Sequence, residues 1–126
     1  MQAKLLKPAT TYPAIVGGVL AKIRNDRNLR QDELAQSVGV TQATWSRIER
    51  GHSSITVEHL RKAADKLGAS PGEILKYADR TESDFRNQGG YISASRDNLD
   101  NQKMALIAAG SLLIVIAAAI VASQRG

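Results

Sequence analysis

The chain reads as all-α, with five short helices forming one domain over residues 13–77, followed by a polar linker and a single apolar helix. Three observations carry this. Apolar residues recur three and four positions apart, in short blocks closed by glycine or proline. No period-2 alternation of useful length occurs, so no sheet is expected. The stretch Met104–Ala122 is apolar throughout and carries no charge.

Charge divides the chain in the same places. Residues 1–12 hold Lys4 and Lys7 and no acid, and read as a flexible arm. Residues 13–77 hold ten basic and seven acidic side chains, a net +3, while residues 78–103 hold four and five, a net −1. A total of +5 favours polyanions or an anionic membrane face, though on its own it separates few function classes. Cysteine is absent, which excludes a disulfide framework or a thiolate metal site. The two histidines, His52 and His59, are too few for a metal site with nearby ligands, and no metal or other cofactor is expected. No paired carboxylates, nucleophile–base set or glycine-rich phosphate loop stands out, so the chain does not read as an enzyme.

Pro13 sits where a first helix starts, a position that tolerates proline. Val16, Val19, Leu20 and Ile23 form its apolar stripe. Gly17 and Gly18 break the stretch Ala14–Leu20, which is too short for a signal peptide. A second helix runs from about Gln31 to Val38 on Leu34, Ala35 and Val38, and Gly39 ends the pattern. Thr41 is a natural N-cap for a third helix reaching Arg50, with Trp45 and Ile48 inward and Gly51 closing it. A fourth helix follows Thr56, with Val57, Leu60, Ala64 and Leu67 as its buried stripe, and Gly68 stops it. Ser70-Pro71 opens a fifth, with Ile74 and Leu75 facing in. Residues 78–103 then turn to Asp, Arg, Ser, Asn, Gln and Gly, the composition of a linker.

The segment QDELAQSVGVTQATWSRIERG, Gln31 to Gly51, has the spacing of a helix-turn-helix. Two closely crossing helices need a small residue where they touch, and Ala35 supplies it. The tight turn needs a residue that accepts positive φ, and Gly39 stands four positions later. Leu34, Val40, Trp45 and Ile48 pin the pair to the rest of the domain. Together with IRNDRNLR before it, and Leu60, Ala64, Leu67-Gly68 and Ile74-Leu75 after it, this segment resembles the Xre/Cro/phage-repressor family.

That resemblance covers about half the chain. It implies a five-helix, repressor-like domain that binds double-stranded DNA as a homodimer on a two-fold symmetric site. It places Thr41, Gln42, Ala43, Ser46 and Arg47 on the base-reading face of the third helix, with Gln42 suited to adenine and Arg47 to guanine. At Ala43 the family often carries a longer polar side chain. Arg30, Gln31, Arg50 and Ser53 fall near the DNA backbone, Gln31 at a helix start that attracts phosphate. Arg24 and Glu49 match a pair that ties the first helix to the third.

The apolar run over residues 104–122 spans about 28 Å as a helix, close to the ~30 Å hydrocarbon core of a bilayer. It has no polar face, so it reads as a single-pass span surrounded by membrane lipid, with residues 123–126 beyond it. DNA access and the positive-inside tendency both put the N-terminal domain in the cytoplasm. The leading expectation is therefore a membrane-anchored, sequence-specific DNA-binding regulator. The alternatives are a membrane-anchored adaptor whose helix-turn-helix binds protein, and a soluble repressor or antitoxin whose apolar tail oligomerises.

Overall fold

The computed structural model describes residues 8–94, in the order β1 (Ala9–Thr11), α1 (Tyr12–Asp26), α2 (Gln31–Val38), α3 (Gln42–Glu49), α4 (Val57–Leu67), α5 (Pro71–Asn87) and β2 (Tyr91–Ser93). Four of the five helices start on a side-chain cap. The hydroxyls of Thr11, Thr41, Thr56 and Ser70 accept from the backbone N–H three residues on, at 3.0–3.2 Å. These bonds satisfy donors that a helix start leaves without a partner. At Ser70 the arrangement is reciprocal, because Glu73 Oε1 accepts from the Ser70 N–H at 3.2 Å.

One apolar core joins the helices. Ile15, Val19 and Leu20 of α1 meet Leu34 of α2, Trp45 of α3, and Ile74 of α5, all fully buried. The first helix lies across the third at very close range. A Cβ on Gly17 would run into the Ile48 carbonyl oxygen, so the residue that looked like a break in an apolar stretch is what lets α1 approach α3.

The structure corrects four expectations. A sheet is present: β1 and β2 pair in parallel, Ala9 opposite Tyr91, Thr10 opposite Ile92 and Thr11 opposite Ser93. Three-residue strands are too short to show alternation, and their partners lie some eighty positions apart in the chain. The arm assigned to residues 1–12 therefore ends in a strand whose three residues are all buried.

The linker assigned to residues 78–103 begins too early. Helix α5 continues to Asn87 and buries Ala78, Thr81 and Phe85 along one face, with Ile92 of β2 packed on Phe85. The polar composition there belongs to the other faces of that helix. Val57, finally, is 83% exposed. It shares a helical stripe with Leu60 and Ala64 but is the first residue of α4, where no neighbouring element reaches over it. The segment 104–122 lies outside the described residues. Among those residues, no helix is long and apolar enough to cross a membrane.

Candidate nucleic-acid interface

The helix-turn-helix forms where the spacing placed it. Ala35 is buried at the crossing of α2 with its neighbours, and Gly39 caps α2 in the left-handed region at φ 87°. The N–H groups of Gly39 and Val40 both donate to the Ala35 carbonyl, at 2.9 and 3.0 Å. That closes the turn and delivers the chain to the Thr41 cap of α3.

A buried carboxylate organises the assembly. Glu49, the last residue of α3, accepts four hydrogen bonds from three helices. Arg24 Nε donates to Oε2 at 2.7 Å and Arg24 Nη2 to Oε1 at 3.0 Å. Trp45 Nε1 donates to Oε2 at 2.7 Å, and Gln31 Nε2 to Oε1 at 2.9 Å. Arg24 Nη1 also donates to the Leu29 carbonyl at 2.7 Å. Burying an ion pair is tolerated when geometry is good and the remaining sites are filled, as they are here. No buried side-chain nitrogen or oxygen among the described residues lacks a partner.

The Arg24–Glu49 pair was expected. The indole and the Gln31 amide in the same cluster were not, although Trp45 and Glu49 stand four apart on one helix and so share a face.

The candidate contact residues separate by what already engages them. Thr41, Gln42, Ala43 and Arg47 are exposed along α3 and Ser46 is half-buried beside them. Neither Gln42 nor Arg47 spends its side chain on a partner among the described residues, so both are available to a ligand. The Thr41 hydroxyl is already committed, accepting from Thr44 N–H at 3.1 Å and donating to Thr44 Oγ1 at 3.0 Å. Arg50 turns back along the helix, its Nε donating to the Ser46 carbonyl at 3.3 Å.

The positions assigned to the DNA backbone are less free. Arg30 pairs with Asp32 at 3.0 Å and Glu33 at 3.7 Å. The bond to Asp32 raises the guanidinium above its ordinary range, and the same bond holds the Asp32 carboxyl below its own. Arg30 is thus engaged by two carboxylates at the exposed start of α2. Gln31, half-buried at the first position of α2, gives its amide to Glu49. Ser53 is half-buried in the loop after α3, and its N–H donates to the Arg47 carbonyl at 3.3 Å.

Residues 20–74 match a protein-family model described as helix-turn-helix. A HTH-type transcriptional regulator, y4dJ, from Sinorhizobium fredii (strain NBRC 101917 / NGR234) is 34% identical over 67 residues. That match covers 53% of this chain and 87% of the relative. Two crystal structures of the clp gene regulator ClgR from Corynebacterium glutamicum are similar to this chain. One gives a TM-score of 0.55 at 27% identity, covering 61% of this chain and 79% of that one. The other gives 0.52 at 29%, covering 54% and 88%.

Proposed function

The chain belongs to the helix-turn-helix family, and from that premise we propose that it is a sequence-specific transcriptional regulator that docks α3 in the major groove. It is a DNA-binding regulator rather than an enzyme. The names of its relatives support this reading, and the observation that carries the finer part is the surface of α3. Gln42 and Arg47 are exposed, without partners among the described residues, and mounted on a helix held rigidly by a buried four-donor cluster.

Gln42 can address adenine and Arg47 guanine, each through two hydrogen bonds. Two copies related by a two-fold axis would place their α3 helices about 34 Å apart, one turn of the duplex. We propose further that residues 104–122 tether the regulator to the cytoplasmic membrane, because their apolar length suits a bilayer and they lack a polar face.

The test uses the full chain. It should sediment with membranes and resist alkaline carbonate; after detergent extraction it should enrich a two-fold symmetric sequence from random duplexes. Arg47→Ala should weaken binding to that sequence by about 1–3 kcal/mol and relax one position per half-site. Failure of the wild type to enrich any sequence overturns the DNA reading. Recovery in the aqueous fraction without detergent overturns the tether alone.

A further inference from the structure

We infer that Gln31 is a positioning residue for base readout, acting through Glu49 on the Arg47 end of α3 rather than on the DNA backbone. The inference rests on the proposed docking of α3 and follows from how the two helices are joined. Helices α2 and α3 form a V. At one end the covalent turn through Gly39 and Val40 connects the last residue of α2 to the first of α3. At the other end, the first residue of α2 reaches the last residue of α3 through a single side-chain bond, Gln31 Nε2 to Glu49 Oε1 at 2.9 Å.

Gln31 therefore closes the V at the end the backbone leaves open. The two base-reading side chains stand at different places along it. Gln42 is the first residue of α3, beside the covalent turn, and stays placed whether or not the far end is tied. Arg47 lies two residues before Glu49 and moves with the tied end. A bidentate contact to a base edge tolerates little displacement, so the readout at Arg47 is the one that depends on Gln31.

A phosphate contact alone behaves differently. Removing one made by a neutral amide weakens all duplexes alike, and the salt slope, which counts phosphates neutralised by cations, stays where it is.

Gln31→Met keeps the length and removes the amide at a half-buried position, which spares the apolar core. The probes are the duplex enriched by the wild type and a scrambled duplex of the same composition, each titrated against the detergent-extracted full chain at several salt concentrations. Affinity for the enriched duplex should fall about 3- to 10-fold, the loss of one hydrogen bond's worth of positioning. Affinity for the scrambled duplex should hold. A repeated selection with Gln31→Met should relax the same base position as Arg47→Ala and leave the Gln42 position intact.

Because Trp45 is the chain's sole tryptophan and shares Glu49 with Gln31, its emission in the free protein should also shift. Equal losses on both duplexes would make Gln31 a backbone contact only and overturn the inference. Unchanged binding would overturn it too, showing that the packing of α1 holds that end of α3 unaided. Neither result touches the docking proposal, which fails only if the wild type selects nothing.

Discussion

The helix-turn-helix and the strap formed by β1, β2 and the second half of α5 are built to the same standard but encoded at different ranges. Both are well buried: Trp45 and Ile48 in the first, Ala9, Thr81 and Phe85 in the second. In the helix-turn-helix the residues that set its spacing, Ala35, Gly39, Thr41, Trp45 and Glu49, lie within 21 positions in fixed register. The strap instead pairs Ala9 with Tyr91 and Thr11 with Ser93, and packs Phe85 on Ile92. Burial makes the two regions equal partners in the fold; sequence range makes only one of them easy to see. If they form one cooperative unit, damage to the strap should melt the helix-turn-helix.

The largest effect should come from Phe85→Ala. The ring is 1% exposed, and truncating a buried phenylalanine costs about 3–5 kcal/mol. For a domain of this size that is a large part of its stability. Trp45 lies in the other region and is the only tryptophan, so its emission during thermal unfolding reports the helix-turn-helix alone. A lowered midpoint at Trp45, matching that of the far-ultraviolet circular dichroism, is expected. An unchanged Trp45 transition would split the two regions into independent units.

This comparison also says why the sequence yielded what it did. The five helix starts follow from residue types and short spacings, which a window along the chain captures; the Arg24–Glu49 tie, 25 positions apart, came with the family resemblance. Phe85 reads as linker because its neighbours Asp79, Arg80, Glu82, Ser83, Asp84 and Arg86 are polar, though Ala78, Thr81 and Phe85 stand three and four apart. Val57 was placed inside by the same periodicity that placed Leu60 correctly; periodicity names a stripe, not what covers it. On α3 the exposure of Thr41, Gln42, Ala43 and Arg47 was readable as a set of positions. That Arg30 is paired with Asp32, or Gln31 tied to Glu49, is a matter of rotamers chosen in three dimensions.

A smaller effect, with a sign that sharpens the comparison, is expected for Gly17→Ala. Helix propensity alone favours alanine by about 1 kcal/mol in a helix interior. The added Cβ, however, meets the Ile48 carbonyl, backbone that cannot swing aside. Overpacking of this kind costs about 1–3 kcal/mol, so the net change should be destabilising. The same thermal melts decide it. A more stable Gly17→Ala protein would mean that α1 and α3 do not cross as closely as this.

The smallest effect should come from Tyr12→Phe, which tests the strap where it joins the helices. Tyr12 follows β1 directly, and its hydroxyl donates to Asp79 Oδ1 of α5 at 2.7 Å, a span of 67 positions. The bond is solvent-accessible, so its loss at neutral pH should cost only about 0.5–1 kcal/mol. Burial, then the bond to Asp79, then the nearby negative charges of Asp79 and Glu82 push the phenol well above its ordinary range. With the folded value raised, the unfolded chain releases this proton first as pH climbs. The contribution is therefore complete below about pH 10, the unfolded value, and is lost progressively as pH rises above it. Denaturant titrations of both proteins from pH 7 to pH 11 should show the wild-type advantage hold to about pH 9.5 and shrink beyond it. A gap that stays constant through pH 11 would show that the folded and unfolded phenols titrate alike. The Tyr12–Asp79 bond would then be no part of what closes the strap onto α5.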